Sequence, residues 1–205
     1  MIQHLLLLFL LIAFQCVACK NCTKQVLRGG EDIDWKNVPN GWYLTMNTFS
    51  QITDDLLCVT IRNVSSPDYQ NMDATFVLEN FYSNRLPFQF KLHVQGKGDG
   101  KYLYVADSDL DVYFATSIKG NGKFNMEAAQ ETSEMLQTPR LTITDYETYL
   151  IMVVCLENEN LLVWAFTRTT RPSQNVRNEI ANQLKKKGIN SVHLDDSSCD
   201  EVLIK

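Results

Sequence analysis

The sequence predicts an all-β protein, an antiparallel barrel with one α-helix near its C-terminus. Short runs rich in β-branched and aromatic residues alternate with polar turns through most of the chain. The clearest example is the segment 141–168, in which three such runs are joined by two tight turns, as in an antiparallel meander. A single helical pattern follows, and no repeat or low-complexity segment divides the chain. Strands joined by turns, with one late helix, are typical of a β-barrel.

The strand runs follow one another at short intervals. The run from Phe88 to Val94 has the clearest alternation of apolar and polar residues. A short helical turn is expected near Trp35, and the polar segment 120–139, which has no convincing strand, is interpreted as an insertion. The nine predicted strand runs are 40–49, 56–64, 74–82, 88–94, 102–105, 112–115, 141–144, 149–155 and 161–168.

One helix is predicted after the last strand. It begins at Pro172 or Ser173, and Gly188 ends it. The basic run 185–187 falls in its last turn, where cations complement the helix dipole. A short strand is expected at 192–194, before the tail. The apolar residues that recur on one face of the helix are Val176, Ile180, Ala181 and Leu184.

The N-terminus is predicted to be a secretory signal peptide, residues 1–19. An uninterrupted apolar run of ten residues, Leu5 to Phe14, precedes the small-residue region 16–19. The run is too short to span a bilayer, and no second segment approaches the necessary length. We therefore expect a secreted, extracellular protein without a transmembrane segment, whose single domain covers residues 20–205.

The meander carries motifs that resemble the conserved regions of the lipocalins. A Thr-Asp-Tyr turn at 144–146 separates two strands, Cys155 closes the second strand, and a Trp and Arg168 lie on the third. Trp42 is similar to the tryptophan of the family's first motif, although the glycine before it stands at another spacing. The pattern is most similar to the apolipoprotein D and insect bilin-binding branch. The resemblance implies an eight-stranded up-and-down barrel with the helix packed outside. Since nine runs exceed eight strands, either one strand is broken at 107–111 or an extra hairpin decorates the barrel.

Cysteine usage is consistent with secretion. The chain has six cysteines, and cleavage after Cys19 would leave four, whereas cleavage one residue earlier would leave five. An even set in an oxidising compartment indicates two disulfides, and four cysteines allow three pairings. The family resemblance implies the pairs Cys22–Cys155 and Cys58–Cys199.

Two sequons are compatible with glycosylation of a secreted protein. Asn63 is the better candidate of the two. Asn21 is less favourable because it adjoins Cys22, a presumed disulfide cysteine.

The resemblance separates structural residues from ligand-binding ones. It implies a barrel floor formed by Trp42, Asp145, Tyr146 and Arg168, with the arginine packed across the tryptophan. A pocket must come from inward-facing residues, and a slip of one residue turns every side chain of a strand to the other face. The alternative is that the same residues fill a solid core. The predicted ligand-binding residues are Met46, Phe76, Phe90, Tyr104, Phe114, Met152 and Phe166.

The sequence favours a carrier over an enzyme. It has no metal-spaced Cys/His cluster, no Gly-x-Ser-x-Gly motif and no P-loop, and a net charge of −5 argues against a nucleic-acid partner. A prostaglandin isomerase of this fold would need a free cysteine. We expect a monomer that binds a fatty acid, sterol, isoprenoid or bilin.

Two alternatives stay open at this stage. A salivary-type lipocalin would bind or inhibit another protein through surface loops, including the segment 120–139. A haem or other tetrapyrrole carrier would use His93, which is less favoured because His93 alternates with the apolar face of its strand. No metal and no other cofactor is predicted.

Overall fold

The structure is a closed antiparallel β-barrel. The computed structural model describes residues 30–48, 56–66, 73–83, 86–107, 138–156, 161–190, 192–197 and 199–200. Eight strands follow one another around the barrel, which closes because β1 pairs with both β8 and β2, and a short ninth strand lies outside on β1. The strands are β1 Trp42–Asn47, β2 Leu56–Ser65, β3 Ala74–Tyr82, β4 Phe88–Gly98, β5 Lys101–Ala106, β6 Arg140–Thr144, β7 Tyr149–Cys155, β8 Leu161–Thr167 and β9 Asp195–Asp196.

The predicted fold class, an eight-stranded up-and-down barrel with one helix outside, is confirmed. Strand β4 runs four residues beyond its predicted end, so that the turn to β5 tightens to two residues, 99–100. Some predicted features lie outside the described residues: the signal peptide 1–19, Asn21, Cys22, the run 112–115 with Phe114, and the insertion 120–139 except for its last two residues.

Antiparallel pairing gives the barrel two different ends. The start of β1 lies at one end with the turns 99–100 and 145–148, and we call this the closed end. The opposite end is called the open end. It holds the starts of β2, β4, β6 and β8 and the end of β5. This arrangement follows from the up-and-down order, in which every second connection returns to the same end.

The segment 30–38 crosses the closed end. The Gly30 N–H donates to the carbonyl oxygen of Asp99 at 3.0 Å, and the Asp34 N–H donates to the hydroxyl of Tyr146 at 3.0 Å. A Cβ atom at Gly30 would lie 2.5 Å from the same Asp99 oxygen, so a larger residue would force the backbones apart. These contacts hold the segment, with its 3-10 turn Trp35–Asn37, against two hairpin turns.

Alternation along the strands produces two apolar clusters, one on each face of the sheet. The interior cluster lies inside the barrel, and the outer cluster lies under the helix. Members of the interior cluster include Leu44, Ile61, Phe76, Leu92, Tyr102, Leu150 and Phe166. Members of the outer cluster include Leu141, Ile151, Val153, Val163, Ala165, Ile180 and Leu184.

Met46 belongs to the outer cluster, so its predicted place in the barrel interior is wrong. Strict alternation from Trp42 through Leu44 would turn Met46 inward. The register against β8 shifts between Leu44, which faces Phe166, and Met46, which faces Ala165. This β-bulge inserts one extra residue into β1 and turns the following side chain to the opposite face.

The helix α1, Gln174–Lys186, has the predicted ends. The hydroxyl of Ser173 accepts a hydrogen bond from a backbone N–H of the first turn, and Gly188 follows the last turn with φ +84°. Ile180 is buried against the barrel, whereas Ala181 is exposed, contrary to the predicted face. One residue rotates a helix by about 100°, which carries Ala181 out of the narrow contact. Within the described ranges, no helix is both long and apolar enough to cross a membrane.

The strand expected at 192–194 is wrong, because the last strand, β9, begins directly after it at Asp195. The apolar residues of 192–194 instead pack against the outer cluster. The tail is fixed along β1, because the Ser197 N–H donates to the carbonyl of Thr45 at 3.0 Å and Cys199 forms a disulfide with Cys58. These anchors set the register of the two pairs between β9 and β1.

Candidate functional site

The closed half of the barrel interior is filled with aromatic side chains. The Trp35 ring is 1% exposed and contacts Tyr102 edge-on, with 5.4 Å between centroids, and Phe76 at 6.3 Å. Phe76 contacts Tyr104 at 5.9 Å. The Tyr102 hydroxyl accepts a hydrogen bond from the Ile33 backbone N–H, and burial raises the pKa of Tyr102 to about 12. Packed in this way, the rings form a solid core.

Arg168 and Trp42 meet where the barrel closes. The Arg168 guanidinium carbon lies 5.2 Å from the centroid of the Trp42 ring, and Nη1 donates to the carbonyl oxygens of Gly41, at 2.7 Å, and Asn40. Trp42 is fully buried, and its indole N–H donates to the Pro39 carbonyl at 2.6 Å. The contact joins the end of β8 to the start of β1, so it stabilises the pairing of these two strands, at which the barrel closes.

Asp145 organises the turn between β6 and β7. Its carboxylate accepts hydrogen bonds from the backbone N–H groups of Glu147, Thr148 and Tyr149 at 2.8–3.1 Å, and from the Thr148 hydroxyl. Burial alone would raise the pKa of Asp145, but these hydrogen bonds outweigh it and hold the pKa below its ordinary value. Tyr146 has φ +66°, which the tight turn requires.

The open half is lined by apolar side chains that stay partly exposed. They pack against the interior cluster and yet keep accessible surface: Leu56, Phe88, Ala106 and Trp164. The ring of Phe88 lies beside that of Phe90, also on β4, with 6.3 Å between their centroids. Inward-facing apolar surface that the protein does not itself cover is typical of a site for an apolar ligand.

A buried cation, Arg140, contacts one aromatic ring from each half of the barrel. Arg140, the first residue of β6, is 2% exposed, and its guanidinium carbon lies 4.7 Å from the centroid of the Tyr104 ring and 5.5 Å from that of Trp164. The Tyr104 hydroxyl is 2.6 Å from Oγ1 of Thr142. Burial lowers the pKa of Arg140 to about 10, so the guanidinium is still charged at pH 7.

Most of the predicted ligand-binding residues point into the barrel. Phe114 lies outside the described residues, and Met46 lies under the helix. Phe76 and Tyr104 belong to the aromatic chain that begins at Trp35 in the closed half. Contact of any of them with a ligand stays a prediction. The residues in the interior cluster are Phe76, Phe90, Tyr104, Met152 and Phe166.

Two residues of the open half were not among the predicted site residues. Trp164 lies two positions before Phe166 on β8, so the alternation that places Phe166 inside also places Trp164 there. Arg140 has no such signal, because a charged residue at the start of a strand is normally exposed.

His93 faces away from the barrel interior. Its ring pairs with the carboxylate of Asp107, whereas its neighbours Leu92 and Val94 belong to the interior cluster. A haem iron inside the barrel would therefore be out of reach of His93. In the part of the chain that the structure describes, no group of three or more His, Cys, Asp or Glu residues could hold a metal ion.

The described cysteines are all oxidised. The predicted Cys58–Cys199 bond is confirmed, with 4.5 Å between the Cα atoms. Cys155 is also disulfide-bonded, and Cys22, its predicted partner, lies outside the described residues. No cysteine in the described ranges is thus a thiol nucleophile.

The chain is similar to several solved structures. The cockroach allergen Per a 4 matches with a TM-score of 0.55 and 16% identity, over 85% of this chain and 95% of the allergen. The amine-binding protein of Rhodnius prolixus, in complex with tryptamine, matches with a TM-score of 0.54 and 17% identity over 85% of each chain. Insecticyanin from the tobacco hornworm Manduca sexta matches with a TM-score of 0.55 and 11% identity, over 83% of this chain and 82% of its own.

These likenesses show the fold. A closed barrel of eight antiparallel strands, with a helix and an extra strand outside, is the lipocalin fold, and the matched proteins are lipocalins. The sequence matches no family model, and the search of curated proteins found no match. The ligand of this chain must therefore be inferred from its own interior.

Proposed function

We propose that this protein is a secreted carrier that binds a small hydrophobic molecule in the open half of its barrel. The observation that carries the proposal is the partly exposed apolar lining of that half, at Leu56, Phe88, Ala106 and Trp164. A fatty acid, sterol, isoprenoid or bilin would fit this lining. The motifs similar to the apolipoprotein D and bilin-binding branch favour the same classes.

Binding in this site is driven by burial of apolar surface. Each Å² of apolar surface removed from water contributes about 25 cal/mol, and the inward rings of Phe88 and Phe90 supply such surface from one strand. The aromatic core around Trp35 limits how deep a ligand enters. A ligand therefore enters from the open end and stops above this core.

An enzymatic role is not part of the proposal. Isomerase chemistry on this fold would need a free thiol facing the interior. Cys58, Cys155 and Cys199 are in disulfides, which removes each of them as a nucleophile. We propose a binding protein that acts without a catalytic residue.

Secretion is supported by the disulfide chemistry and the N-terminal sequence. The Cys58–Cys199 bond is the kind that persists in oxidising compartments. Asn63 is exposed on β2, which makes it accessible to glycosylation. We propose a mature, monomeric domain that begins near residue 20 and carries a glycan at Asn63.

The first test identifies what the protein carries. Protein purified from its native source, without added ligand, is examined by absorbance from roughly 300 to 700 nm and then extracted with organic solvent for mass spectrometry. A colourless protein that releases a lipid in stoichiometric amount is the expected result. A visible band with a tetrapyrrole mass would identify a pigment carrier, and an empty barrel would contradict the proposal.

A matched pair of variants tests the place of binding. Ala106→Trp adds an indole to the open half, and Val105→Trp adds the same indole one residue earlier, on the exposed outer face. Overfilling a site weakens binding by about tenfold or more, because a shift of about 1.4 kcal/mol changes an affinity tenfold. A neutral fluorescent probe, N-phenyl-1-naphthylamine, measures both affinities.

The two variants give distinguishable results. We expect Ala106→Trp to lose probe binding and Val105→Trp to bind as the wild-type protein does. If Ala106→Trp binds the probe normally, the barrel interior is not the binding site, and the salivary-type alternative with surface loops gains support.

A further inference from the structure

Asn80 is a polar side chain among the apolar residues of the open half. On β3 it follows the inward-facing Leu78 by two positions, so it shares the inner face of the sheet. Its cross-strand neighbours are Val59 on β2 and Phe88 on β4, both parts of the interior packing. Asn80 is only 6% exposed. A carboxamide in such surroundings is costly unless its polar atoms have partners.

The carboxamide of Asn80 is paired through its nitrogen alone. Nδ2 donates to the hydroxyl of Tyr82, which lies on the same face of β3, at 3.1 Å. Among the residues that the structure describes, Oδ1 of Asn80 has no hydrogen-bond partner, and protein atoms do not fully enclose it. The bond to Tyr82 fixes the plane of the carboxamide, so the orientation of Oδ1 is set before a ligand binds. An acceptor that is nearly buried and has no partner gains free energy when it meets a donor.

The acceptor of Asn80 adjoins the exposed apolar lining of the open half. Phe88 lies directly across from Asn80, and Leu56 lies directly across from Tyr82. Both apolar side chains are partly exposed. An oriented acceptor beside apolar surface complements a molecule that has an apolar skeleton and one hydrogen-bond donor.

The surroundings of Asn80 favour a neutral donor. An ammonium group also donates, but a charge that leaves water needs an opposite charge beside it. No Asp or Glu side chain points inward from the described strands, and Glu79 faces outward, where it pairs with Arg62 at 3.3 Å. A carboxylate has only acceptors, so it offers no hydrogen bond to Oδ1 of Asn80. A hydroxyl donates without carrying a charge.

We propose that Oδ1 of Asn80 accepts a hydrogen bond from the hydroxyl of an apolar ligand, whose skeleton lies against Leu56 and Phe88. This inference rests on the proposed carrier function and narrows it to lipids with a neutral hydroxyl, namely long-chain alcohols and sterols. Methylation of the hydroxyl removes the donor and keeps the skeleton, so it should weaken binding. Replacement of the hydroxyl by an amine adds a charge and should weaken binding as well.

The ligand series is measured first on the wild-type protein. Delipidated mature protein is loaded with N-phenyl-1-naphthylamine at pH 7, and dodecanol, its methyl ether and dodecylamine compete for the site. We expect dodecanol to bind about two- to tenfold more tightly than its ether, which is the range for a neutral hydrogen bond, and more tightly than the amine. Cholesterol and its methyl ether repeat the comparison on a rigid skeleton, so the larger alcohol-to-ether ratio distinguishes a sterol from a chain alcohol.

Three variants assign the preference to Asn80. Asn80→Leu removes the acceptor at similar volume, and Asn80→Ser keeps an acceptor on a shorter side chain. Asn178→Leu is the matched control, because Asn178 is exposed on α1 and its carboxamide also makes one side-chain hydrogen bond, with Gln174 at 2.9 Å. We expect the alcohol-to-ether ratio of affinities to fall to about one or below in Asn80→Leu, to be intermediate in Asn80→Ser and to be unchanged in Asn178→Leu.

Each outcome decides the inference. Equal affinity of the wild-type protein for alcohols and their ethers overturns it and leaves the carrier function in place, whereas failure to bind the naphthylamine overturns both. Tighter binding of the amine than of the alcohol overturns the assignment to a neutral hydroxyl. A wild-type preference retained in Asn80→Leu would show that Asn80 serves only to hold Tyr82. If Asn80→Leu does not fold, the wild-type series and Asn80→Ser still decide.

Discussion

The two halves of the barrel are built from the same alternating strands but differ in what fills them. In the closed half, Trp35 and Tyr102 are almost completely buried and contact each other. In the open half, Leu56 and Trp164 remain partly exposed, and Trp164 contacts a buried cation, Arg140. The difference comes from the segment before β1, which inserts its own aromatic residue into one end only.

The contacts that stabilise the fold and the surface that we propose binds a ligand lie in different halves of the barrel. Contacts that carry the fold concentrate at the closed end, where the aromatic core, the Trp42–Arg168 contact and the Asp145 turn meet. Side chains of the open half make fewer packing contacts, so substitutions there cost less stability. These side chains can therefore be selected for ligand binding. Variants in the two halves should therefore differ in which property they change.

The largest effect on stability is expected at Trp35. Trp35→Ala removes a fully buried ring that contacts Phe76 and Tyr102, and it should lower the free energy of unfolding by about 3–5 kcal/mol. Urea unfolding followed by far-ultraviolet circular dichroism measures this as a lower midpoint with an unchanged slope.

Trp164→Ala is the matched variant of the open half. Because Trp164 is only partly buried, its removal should cost about 1–2 kcal/mol while it weakens ligand binding. Equal losses of stability in Trp35→Ala and Trp164→Ala would mean that the two halves are packed alike. That result would contradict the proposed difference between them.

A smaller effect is expected at Asp145. Asp145→Asn removes the charge that accepts three backbone hydrogen bonds and should lower stability at pH 7 by about 1–2 kcal/mol. The folded state holds the pKa of Asp145 below its unfolded value, so this contribution is present above about pH 4 and is lost as the pH falls through the folded pKa.

The pH dependence separates this effect from a general loss of packing. The gap in stability between wild type and Asp145→Asn should close on acidification, as measured by urea midpoints from about pH 7 to pH 3. Asp99→Asn, an exposed aspartate at the same end of the barrel, serves as the control. A gap that is constant with pH would show that ionisation of Asp145 does not stabilise the turn.

The smallest effect appears only at alkaline pH. Burial raises the pKa of Tyr102 to about 12, and burial also raises the pKa of Tyr104. The folded state therefore binds more protons than the unfolded state above about pH 10, so stability falls as the pH rises from there towards 12. Spectrophotometric titration of tyrosinate should show these groups ionising later than in unfolded protein. Coincident titration curves would contradict the packed closed half.

The strands and turns could be predicted because their signals are local. The alternation in Phe88 to Val94 and the turn residues at Asp145 and Tyr146 depend on neighbours in sequence, and the structure has strands and a turn at these positions. The helix ends just before Gly188, as its sequence indicates, because the positive φ of the residue after the cap favours glycine. The disulfide partner of Cys58, by contrast, came from the family resemblance and not from spacing.

The faces of the strands were less predictable than the strands themselves. Met46 was expected inside by alternation, and a single bulge after Leu44 turned it outward. A bulge is decided by how β1 fits β8 and β2 at once, which one strand's sequence does not encode. The pairing of Arg140 with two rings was missed for a similar reason, since Tyr104 and Trp164 lie on different strands.

The sequence by itself determined that this chain forms short amphipathic strands, tight turns and one capped helix, because hydrophobic periodicity and turn chemistry act over a few residues. Tertiary structure decided which side chains meet. Closure of the barrel placed the segment 30–38 across one end, turned Met46 outward and brought Arg140 between two distant rings. Those contacts join residues far apart in the chain, so only the closed sheet specifies them.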